Sequence, residues 1–402
     1  MSILTYELAK RLSTSNEVII YTRRNEGQPA EESHNGIRFK RFASTMEDRL
    51  LRPLKILVRL LERPTSDRPL FSRSIYFFLY GLRIAIDVRK ERCDIIHVHN
   101  FSQFIPIIRA FNPQSKIVLH MHCEWLSQLN SKMIRRRLKK TDVVIGVSEH
   151  ITNAVRKSFP EFANRCVTLY NGIDISFFAG ELNSVSKENK GRRTILSVGR
   201  LSPEKGVHVL IEAFSKIAGA VPDVDLVIVG SPTPTAFEFI VLLAKDPKVL
   251  ALGSYYRGKL KRSNYIGQLH ESVPEELRNR VKFEGEMTQR EIAERYHAAA
   301  VFAFPSVWDE PFGIPVIEAM ASGVPVVATR SGAVPEIIDQ EKSGLLVEPG
   351  NSQELAECML NVLNNSKLSQ SLSSAGRGAV QQRFQWDEIA KQLQEIYVRA
   401  IT

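Results

Sequence analysis

The stretch DEPFGIPVIEAMASG, residues 309–323, carries two glutamates, Glu310 and Glu318, on either side of a Phe-Gly-Ile turn. Proline is tolerated only near the start of a helix, so Pro315 predicts a helix that begins there. Glu310 then lies in the loop before the helix, and Glu318 lies one turn inside it. Because a helix N-terminus attracts negative charge, this stretch predicts a site for an anion flanked by hydroxyl groups.

A second stretch, VGRLSPEKG at residues 198–206, follows the apolar run TILS and precedes the helical pattern VHVLIEAFSKI. The basic residues of this stretch, Arg200 and Lys205, follow the carboxyl end of the predicted strand, where a diphosphate could bind. The stretch is not a P-loop, because Lys205 comes before Gly206 rather than after it. The alternative is an ordinary basic loop, but the Glu310 stretch favours the diphosphate site.

Short β-branched runs alternate with helical patterns along the whole chain, which is typical of parallel sheets built from βαβ units. The predicted strands are EVIIYT, DIIHVHN, KIVLHMH, DVVIGVS and CVTLYNG in the first half, and RTILSVGR, VDLVIVGS, VKFEG, VFAFPS, PVVATR and GLLVEP in the second. The polar run SVSKENKGRR, residues 184–193, reads as an interdomain linker. The pattern predicts two doubly wound α/β domains, with the ligand at the carboxyl ends of the strands.

Composition narrows the class of protein and the kinds of partner. A chain of 402 residues with 44% hydrophobic and 24% charged residues fits two globular domains. We expect a cytoplasmic protein, because no apolar run reaches the roughly 20 residues of a membrane span and the N-terminus lacks a signal-peptide pattern. Four widely spaced cysteines predict reduced thiols. The net charge of +10 predicts an anionic partner: nucleic acid, a membrane surface or a phosphorylated substrate.

Four histidines, His97, His99, His120 and His122, lie at the ends of two predicted strands. Strand alternation places each pair on one face, so a metal site is conceivable. No carboxylate has a ligand spacing such as HExxH, so we expect polar contacts instead, with His122 the best candidate for contact with a sugar or an acceptor. The sequence DVD at residues 223–225 precedes the strand LVIVG, so we interpret it as a turn and not as a cation site.

Two segments concentrate positive charge. Residues 52–63 predict a short amphipathic basic helix, with Pro53 near its start and Pro64 beyond its end. Residues 132–140, KMIRRRLKK, carry six positive charges in nine residues. Either segment could be a solvated helix face or a contact with anionic lipid. Nucleic acid is not expected, since no recognised binding module accompanies the charge.

Four stretches together carry a family resemblance: VGRLSPEKG, VKFEGEMTQREIAERYHAAAVFAFPS, DEPFGIPVIEAMASGVPVVAT and GAVPEIIDQEKSGLLVEPGN. With them the chain resembles the family 4 glycosyltransferases of the GT-B fold, which are retaining enzymes that use nucleotide sugars. The resemblance implies two Rossmann-like domains, at residues 1–176 and 193–384. It also implies a linker at 177–192 and a last helix, 385–402, that returns to the first domain.

The resemblance also implies a role for each site residue. Glu310 would lie against the donor sugar, Glu318 would bind the ribose hydroxyls, and Arg200 and Lys205 would neutralise the diphosphate. His122 would lie near the transferred sugar. The remaining donor-binding residues would be Gly199, Phe312, Gly313 and Ile314 for sugar and phosphate, and Val281, Phe283 and Gly285 for the base. No metal or other cofactor is expected, because two cations and a helix N-terminus can stabilise the leaving diphosphate.

The predicted function is transfer of a sugar, with retention, from a nucleotide diphosphate sugar to a saccharide or lipid-linked acceptor. The protein would bind peripherally to the inner face of the membrane. A nucleotide-sugar epimerase or a sugar phosphorylase on the same architecture is the alternative. A catalytically silent scaffold is a third possibility. Such a protein would be expected to lack Glu310, Arg200 or Lys205, and this sequence retains all three.

The sequence departs from the family pattern in two places. Residues 231–280 separate VIVG from VKFEG by more than the family usually needs, and their composition predicts a mobile loop. The first helical pattern, SILTYELAKRL, begins at residue 2, so no residues remain for a preceding strand and Gly-rich turn. We therefore expect the first sheet to be interrupted and the natural product to start upstream of Met1. Intact-mass measurement of the native protein would test this.

Overall fold

The computed structural model describes residues 3–61, 67–179, 191–257 and 262–402, without the side chains of residues 46, 54, 55, 57–61, 257, 262 and 263. It divides into two compact units. Unit 1 comprises Met1–Gly172 and Trp386–Thr402, and unit 2 comprises Ile173–Gln385. Each unit is an α/β structure built on parallel strands, as predicted.

Unit 1 alternates strands and helices, with 3-10 turns at Leu70–Ser72, Ser102–Phe104 and Pro160–Arg165. Its strands are β1 (Val18–Arg23), β2 (Glu31–His34), β3 (Ile37–Phe42), β4 (Ile95–His99), β5 (Lys116–Met121), β6 (Val143–Gly146) and β7 (Cys166–Thr168). Its helices are α1 (Ile3–Leu12), α2 (Thr45–Leu61), α3 (Phe78–Glu91), α4 (Ile105–Phe111), α5 (Trp125–Gln128), α6 (Ser131–Leu138), α7 (Glu149–Ser158) and α18 (Trp386–Ile401).

The strands of unit 1 form two sheets. Strands β4, β5, β6 and β7 are parallel neighbours in that order, and the register pairs His99 with His120. Strand β3 lies between β1, to which it is parallel, and β2, to which it is antiparallel. Among the described strands, β1 and β4 therefore each have one strand partner. Val18 of β1 and Ile95 of β4 nevertheless pack against the same hydrophobic cluster.

That cluster joins the first helix to the last one. Leu4 and Leu8 of α1 pack with Trp386 and Leu393 of α18 over buried residues of β5 and β6. Gly172 lets the chain pass close to the Trp386 ring, since an added Cβ would lie 2.3 Å from it. Burial of these apolar side chains contributes roughly 1.5–3 kcal/mol each, which holds α18 on unit 1.

Unit 2 is a doubly wound domain, with 3-10 turns at Pro203–Lys205, Leu252–Tyr255 and Glu275–Leu277. Its strands are β8 (Arg193–Val198), β9 (Val224–Val229), β10 (Tyr256–Arg257), β11 (Arg262–Ser263), β12 (Val281–Gly285), β13 (Val301–Phe304), β14 (Val326–Thr329) and β15 (Leu345–Val347). Its helices are α8 (Ile175–Ala179), α9 (Val207–Ala220), α10 (Phe237–Ile240), α11 (Pro247–Ala251), α12 (Tyr265–Ser272), α13 (Gln289–Ala298), α14 (Ile314–Ala321), α15 (Val334–Ile337), α16 (Ser352–Asn364) and α17 (Ser366–Arg383).

Six strands of unit 2 form one parallel sheet in the order β12-β9-β8-β13-β14-β15. The order reverses direction at β8 and β13, the two strands whose carboxyl ends lead to the Arg200 loop and to the loop before Glu310. Every residue of β9, β13 and β14 is buried, as expected of strands covered by helices on both faces. Ligands of such sheets bind at this reversal of strand order.

The structure corrects two predictions about local structure. Residues 231–280 do not form a mobile loop: their described part folds into α10, α11 and α12, and Phe237, Tyr256 and Tyr265 join the core of unit 2. The basic helix begins at Thr45 rather than near Pro53, which lies inside α2. Acidic residues in the first turn favour the earlier start, since they interact well with a helix N-terminus. Residue 63 lies outside the described residues, as do residues 180–190 of the predicted linker.

Candidate active site

Lys205 and Glu310 form an ion pair at the carboxyl ends of β8 and β13. The Lys205 ammonium donates to both carboxylate oxygens of Glu310, at 2.6 and 2.9 Å, and Ser306 Oγ donates to Glu310 Oε1 at 2.7 Å. Glu310 is 3% exposed, so these hydrogen bonds replace the water that its carboxyl group loses on burial. Lys205 also lies 5.6 Å from the centre of the Trp308 ring. The two residues that the sequence placed in separate motifs are therefore in direct contact.

The loop after Glu310 leads into α14, which begins at Ile314 with Pro315 in its first turn, one residue before the predicted start. None of the described side chains caps this helix, and the residue before it, Gly313, has φ 121°. Phe312 is buried, with its ring packed on Phe384, whereas Ile314 is exposed. Pro315 has no N–H, and Val316 N donates to Gly313 O at 3.0 Å, so within the first turn Ile314 supplies the N–H that an anion at this helix N-terminus would meet.

Gly332 allows this loop to pack closely. An added Cβ at Gly332 would lie 2.3 Å from the backbone oxygen of Glu310 and 2.5 Å from its nitrogen. Ala333 N donates to Glu310 O at 2.9 Å, and Gly332 N donates to Asp309 Oδ1 at 3.1 Å. The position of the Glu310 backbone therefore depends on a residue that has no side chain.

Glu318 lies inside α14, where Tyr296 of α13 contacts it. The Tyr296 hydroxyl, which is fully buried, lies 3.1 Å from Glu318 Oε2 and 3.2 Å from the Pro315 carbonyl oxygen. Burial raises the pKa of the Glu318 carboxyl to about 7, and the Tyr296 hydrogen bond lowers it in part. This carboxyl therefore changes charge near neutral pH. Tyr296 was not among the predicted site residues, because its place in a helical pattern resembles that of an ordinary core tyrosine.

Arg200 is exposed in the loop after β8, and its Nη1 donates to Thr235 Oγ1 at 3.2 Å. The loop is held against the neighbouring strand end, because Gly199 N donates to Val229 O and Leu201 N donates to Ser231 O, both at 2.9 Å. An added Cβ at Gly199 would meet no described atom within 4 Å. Open space thus adjoins the backbone at the position predicted to contact the donor.

The residues predicted to bind the base lie on β12, an edge strand of the sheet. The Val281 side chain is buried, so only its backbone remains available to a ligand. Phe283 is partly buried against the ring of His270, 4.4 Å away between ring centres. Gly285 has φ 71°, and its carbonyl accepts a hydrogen bond from Gly230 N at 2.7 Å. The register of β12 against β9 shifts between Phe283 and Gly285.

The four histidines of unit 1 do converge. His122 Nε2 lies 2.8 Å from His99 Nδ1, and His97 Nε2 lies 3.1 Å from His120 Nδ1. His97 Nδ1 contacts the Tyr397 hydroxyl of α18 at 2.5 Å. Burial lowers the pKa of His122 to about 3 and that of His99 to about 4, so both rings are neutral at physiological pH.

Neutral imidazoles are also the form that binds metals. Ring nitrogens of His97, His99 and His120 lie within 4.8 Å of one another, so these residues could hold a transition metal. In the structure, however, His97 and His120 hydrogen-bond to each other, His99 contacts His122, and His97 contacts Tyr397. The contact of His122 with a sugar or an acceptor, which the sequence suggested, stays a prediction.

The acidic pair at 223 and 225 lies at the amino end of β9, as interpreted from the sequence. Asp223 pairs with Arg193 at 2.9 Å, and Asp225 pairs with Arg192 at 2.6 Å. These arginines occupy the carboxylates, and both acids lie at the end of the sheet opposite Arg200.

The basic cluster at residues 132–140 is only partly exposed, which corrects its interpretation as one cationic face. Arg137 is 3% exposed and donates to Ser102 Oγ and the Ser72 carbonyl oxygen. Arg135 pairs with Glu161 at 2.5 Å. The exposed cations of this segment are Lys132, Arg136, Lys139 and Lys140. None of the described helices is long and apolar enough to cross a bilayer.

Two α/β units in one chain, the second doubly wound with a lysine–carboxylate pair at its strand ends, define an α/β enzyme of the GT-B class. The crystal structure of Anabaena HepE in complex with UDP matches this fold with a TM-score of 0.71 at 21% identity, covering 99% of this chain and 96% of that chain. This likeness confirms the predicted fold class.

Family models cover most of the sequence. The model described as Glycosyl transferases group 1 matches residues 180–379, and the model described as Glycosyltransferase Family 4 matches residues 1–177. Uncharacterized glycosyltransferase MJ1607 of Methanocaldococcus jannaschii is 30% identical over 348 residues, 80% of this chain and 81% of that protein. Spore coat protein SA of Bacillus subtilis is 25% identical over 334 residues, 79% of this chain and 81% of that protein. The chain therefore belongs to the family 4 glycosyltransferases and is a transferase.

Proposed function

We propose that the protein transfers a sugar from a nucleotide diphosphate sugar to a saccharide or lipid-linked acceptor, with retention at the anomeric carbon. The observation that carries this proposal is the Lys205–Glu310 pair in the loops that adjoin the uncapped N-terminus of α14. A cation, a carboxylate and a helix N-terminus in one place suit a ligand that carries both phosphate and sugar hydroxyl groups. The HepE complexes with UDP and with UDP-glucose support uridine nucleotides as the first donors to test.

In this mechanism the bond from the anomeric carbon to the diphosphate oxygen breaks, and its electron pair stays on the diphosphate. Lys205, Arg200 and the N-terminus of α14 stabilise the charge that develops there. The acceptor hydroxyl attacks from the same face, and its proton passes to the leaving phosphate oxygen. Because protein groups stabilise this charge, the step that we propose needs no metal ion.

The carboxylates have separate roles in this proposal. Glu310 accepts hydrogen bonds from the donor sugar, while the diphosphate competes for the Lys205 ammonium. Glu318 accepts hydrogen bonds from the ribose hydroxyls, which requires its ionised form. The backbone of residues 312–314 contacts sugar and phosphate, Gly199 adjoins the donor, and β12 contacts the base at Val281, Phe283 and Gly285. In unit 1, His122 is the residue that we propose for contact with the transferred sugar or the acceptor.

We propose further that the protein binds the inner face of the membrane peripherally. Exposed cations of α6 and its flanks support this, because anionic lipid attracts clustered basic residues within a Debye length. Such binding would bring a lipid-linked acceptor to the enzyme. A soluble saccharide acceptor remains the alternative, and vesicle binding separates the two.

A thermal-shift screen against UDP-, GDP-, ADP- and dTDP-sugars tests the donor. A donor at about 100 times its Kd should stabilise the protein by about 2.7 kcal/mol. The Glu318→Ala variant should lose most of that shift, and so should a donor that carries 2′-deoxyribose. The absence of a shift with every nucleotide sugar would contradict the proposal, whereas phosphate-dependent turnover would indicate a phosphorylase.

A further inference from the structure

The hydroxyl of Thr235 connects the Arg200 guanidinium to a buried carboxylate. Thr235 Oγ1 accepts a hydrogen bond from Arg200 Nη1 at 3.2 Å and donates one to Glu204 Oε1 at 2.7 Å. A hydroxyl group has one proton to donate and lone pairs to accept with, so one threonine can make both bonds at once. The three groups form a chain from an exposed cation to a buried anion.

Glu204 is the fixed end of this chain. It is 1% exposed, and Ser202 Oγ donates to its second carboxylate oxygen. Its backbone oxygen accepts from Val307 N at 2.9 Å, and Ser306 Oγ lies 3.1 Å from it. Ser306 donates to Glu310, so the segment that carries Glu204 is tied to the candidate active site. A buried carboxylate acts over a longer range than an exposed one, because water screens it less.

Thr235 itself is held on three sides. Its N–H donates to Ser202 Oγ at 2.9 Å, and its carbonyl oxygen accepts from the Tyr256 hydroxyl at 2.7 Å. Tyr256 is buried in the core of unit 2. The hydroxyl therefore has a fixed position, which an exposed surface threonine would not have. Thr235 and Tyr256 both belong to the extra segment at 231–280, whereas Ser202 belongs to the loop after β8.

We propose that Thr235 is a positioning residue for Arg200, and that the segment at 231–280 serves to hold this arginine ready for the diphosphate. The inference rests on the proposed role of Arg200. An exposed arginine samples many rotamers, and each contact that limits them lowers the entropy lost when the diphosphate binds. The Thr235 bond leaves the other donors of the guanidinium available for phosphate oxygens. The segment thus has a function beyond its place in the core.

Inorganic pyrophosphate is the probe, because it carries the diphosphate charge without the base or the sugar. Calorimetry should show that Thr235→Val weakens pyrophosphate binding about tenfold, because the released Arg200 side chain then has more rotamer freedom to lose when the diphosphate binds. Thr235→Ser keeps the hydroxyl and should restore the wild-type affinity. Melting temperatures identify any variant that fails to fold. If Thr235→Val does not fold, the pyrophosphate affinities of Thr235→Ser and Thr235→Ala are compared instead.

A double-mutant cycle separates positioning from a structural effect. In the Arg200→Ala background, Thr235→Val should cause no further loss of pyrophosphate affinity, because the arginine that it positions is gone. An equal loss in both backgrounds, or wild-type affinity in Thr235→Val, would overturn the inference. If Arg200→Ala itself leaves the affinity unchanged, or if the wild-type protein does not bind pyrophosphate, the proposed diphosphate site is wrong. Failure of the inference and failure of the proposed function therefore give different results.

Discussion

Glu318 gives the sharpest prediction, because its carboxyl titrates near neutral pH. Burial raises the pKa of this group to about 7, so about 90% of the carboxyl is ionised at pH 8 and about 10% at pH 6. Both carboxyl oxygens accept hydrogen bonds only in the ionised form, because protonation turns one of them into an O–H donor. If donor binding requires that form, the affinity should fall about tenfold from pH 8 to pH 6, which is about 1.4 kcal/mol.

Calorimetry with UDP-glucose measures this effect, since its diphosphate has no ionisation between pH 6 and pH 8. Glu318→Gln is the matched control: it should bind weakly at both pH values, with the steep dependence gone. Tyr296→Phe removes a hydrogen bond that lowers the pKa of Glu318, so the midpoint should move to higher pH. A constant wild-type affinity, or an equally steep dependence in Glu318→Gln, would refute the reasoning.

Four further outcomes are expected. Glu318→Ala should weaken donor binding by about 1–3 kcal/mol, the scale of a lost charged hydrogen bond, with less effect on turnover at saturating donor; unchanged affinity in a folded variant would exclude the ribose role. Arg200→Ala and Lys205→Ala should slow single-turnover transfer more than they weaken binding, because the diphosphate gains charge toward the transition state; wild-type turnover in both would contradict this. Added EDTA should leave the transfer rate unchanged; loss of activity with EDTA would instead indicate a metal ion, for which the histidines of unit 1 are the candidate ligands. Binding to anionic vesicles should decrease as the salt concentration rises, and equal binding to neutral vesicles would exclude an anionic lipid surface as a partner.

The sequence predicted the parts of the fold that depend on local pattern. Each of the apolar runs assigned as a strand contains one in the structure, because continuous β-branched runs suit strands buried on both faces. The helix after Phe312 also followed from local rules, since Pro315 and Gly313 restrict where a helix can begin. The antiparallel hairpin of β2 and β3 was missed, because the charges in IRFKRF obscure its alternation.

The contacts that organise the site could not be predicted in the same way. The residues next to Glu204 in the sequence are those of an ordinary loop and do not indicate burial. Its partner Thr235 lies 31 residues later in the chain. Arg137 looked like one of several surface cations, but it is buried against residues far from it in the chain. Composition alone made residues 231–280 read as a loop, although their apolar residues fill the core of unit 2. Pairings of this kind are set by tertiary packing.

The packing of α18 on α1 has a consequence for synthesis on the ribosome. Leu4 and Leu8 are made well before Trp386 and Leu393, which complete their cluster. Unit 2 is contiguous from Ile173 to Gln385, so it has all its residues before α18 emerges. Domains commonly fold in order from the N-terminus as the chain is made. Here the second unit can finish before the first one, whose apolar surface stays open to chaperones until α18 has been made.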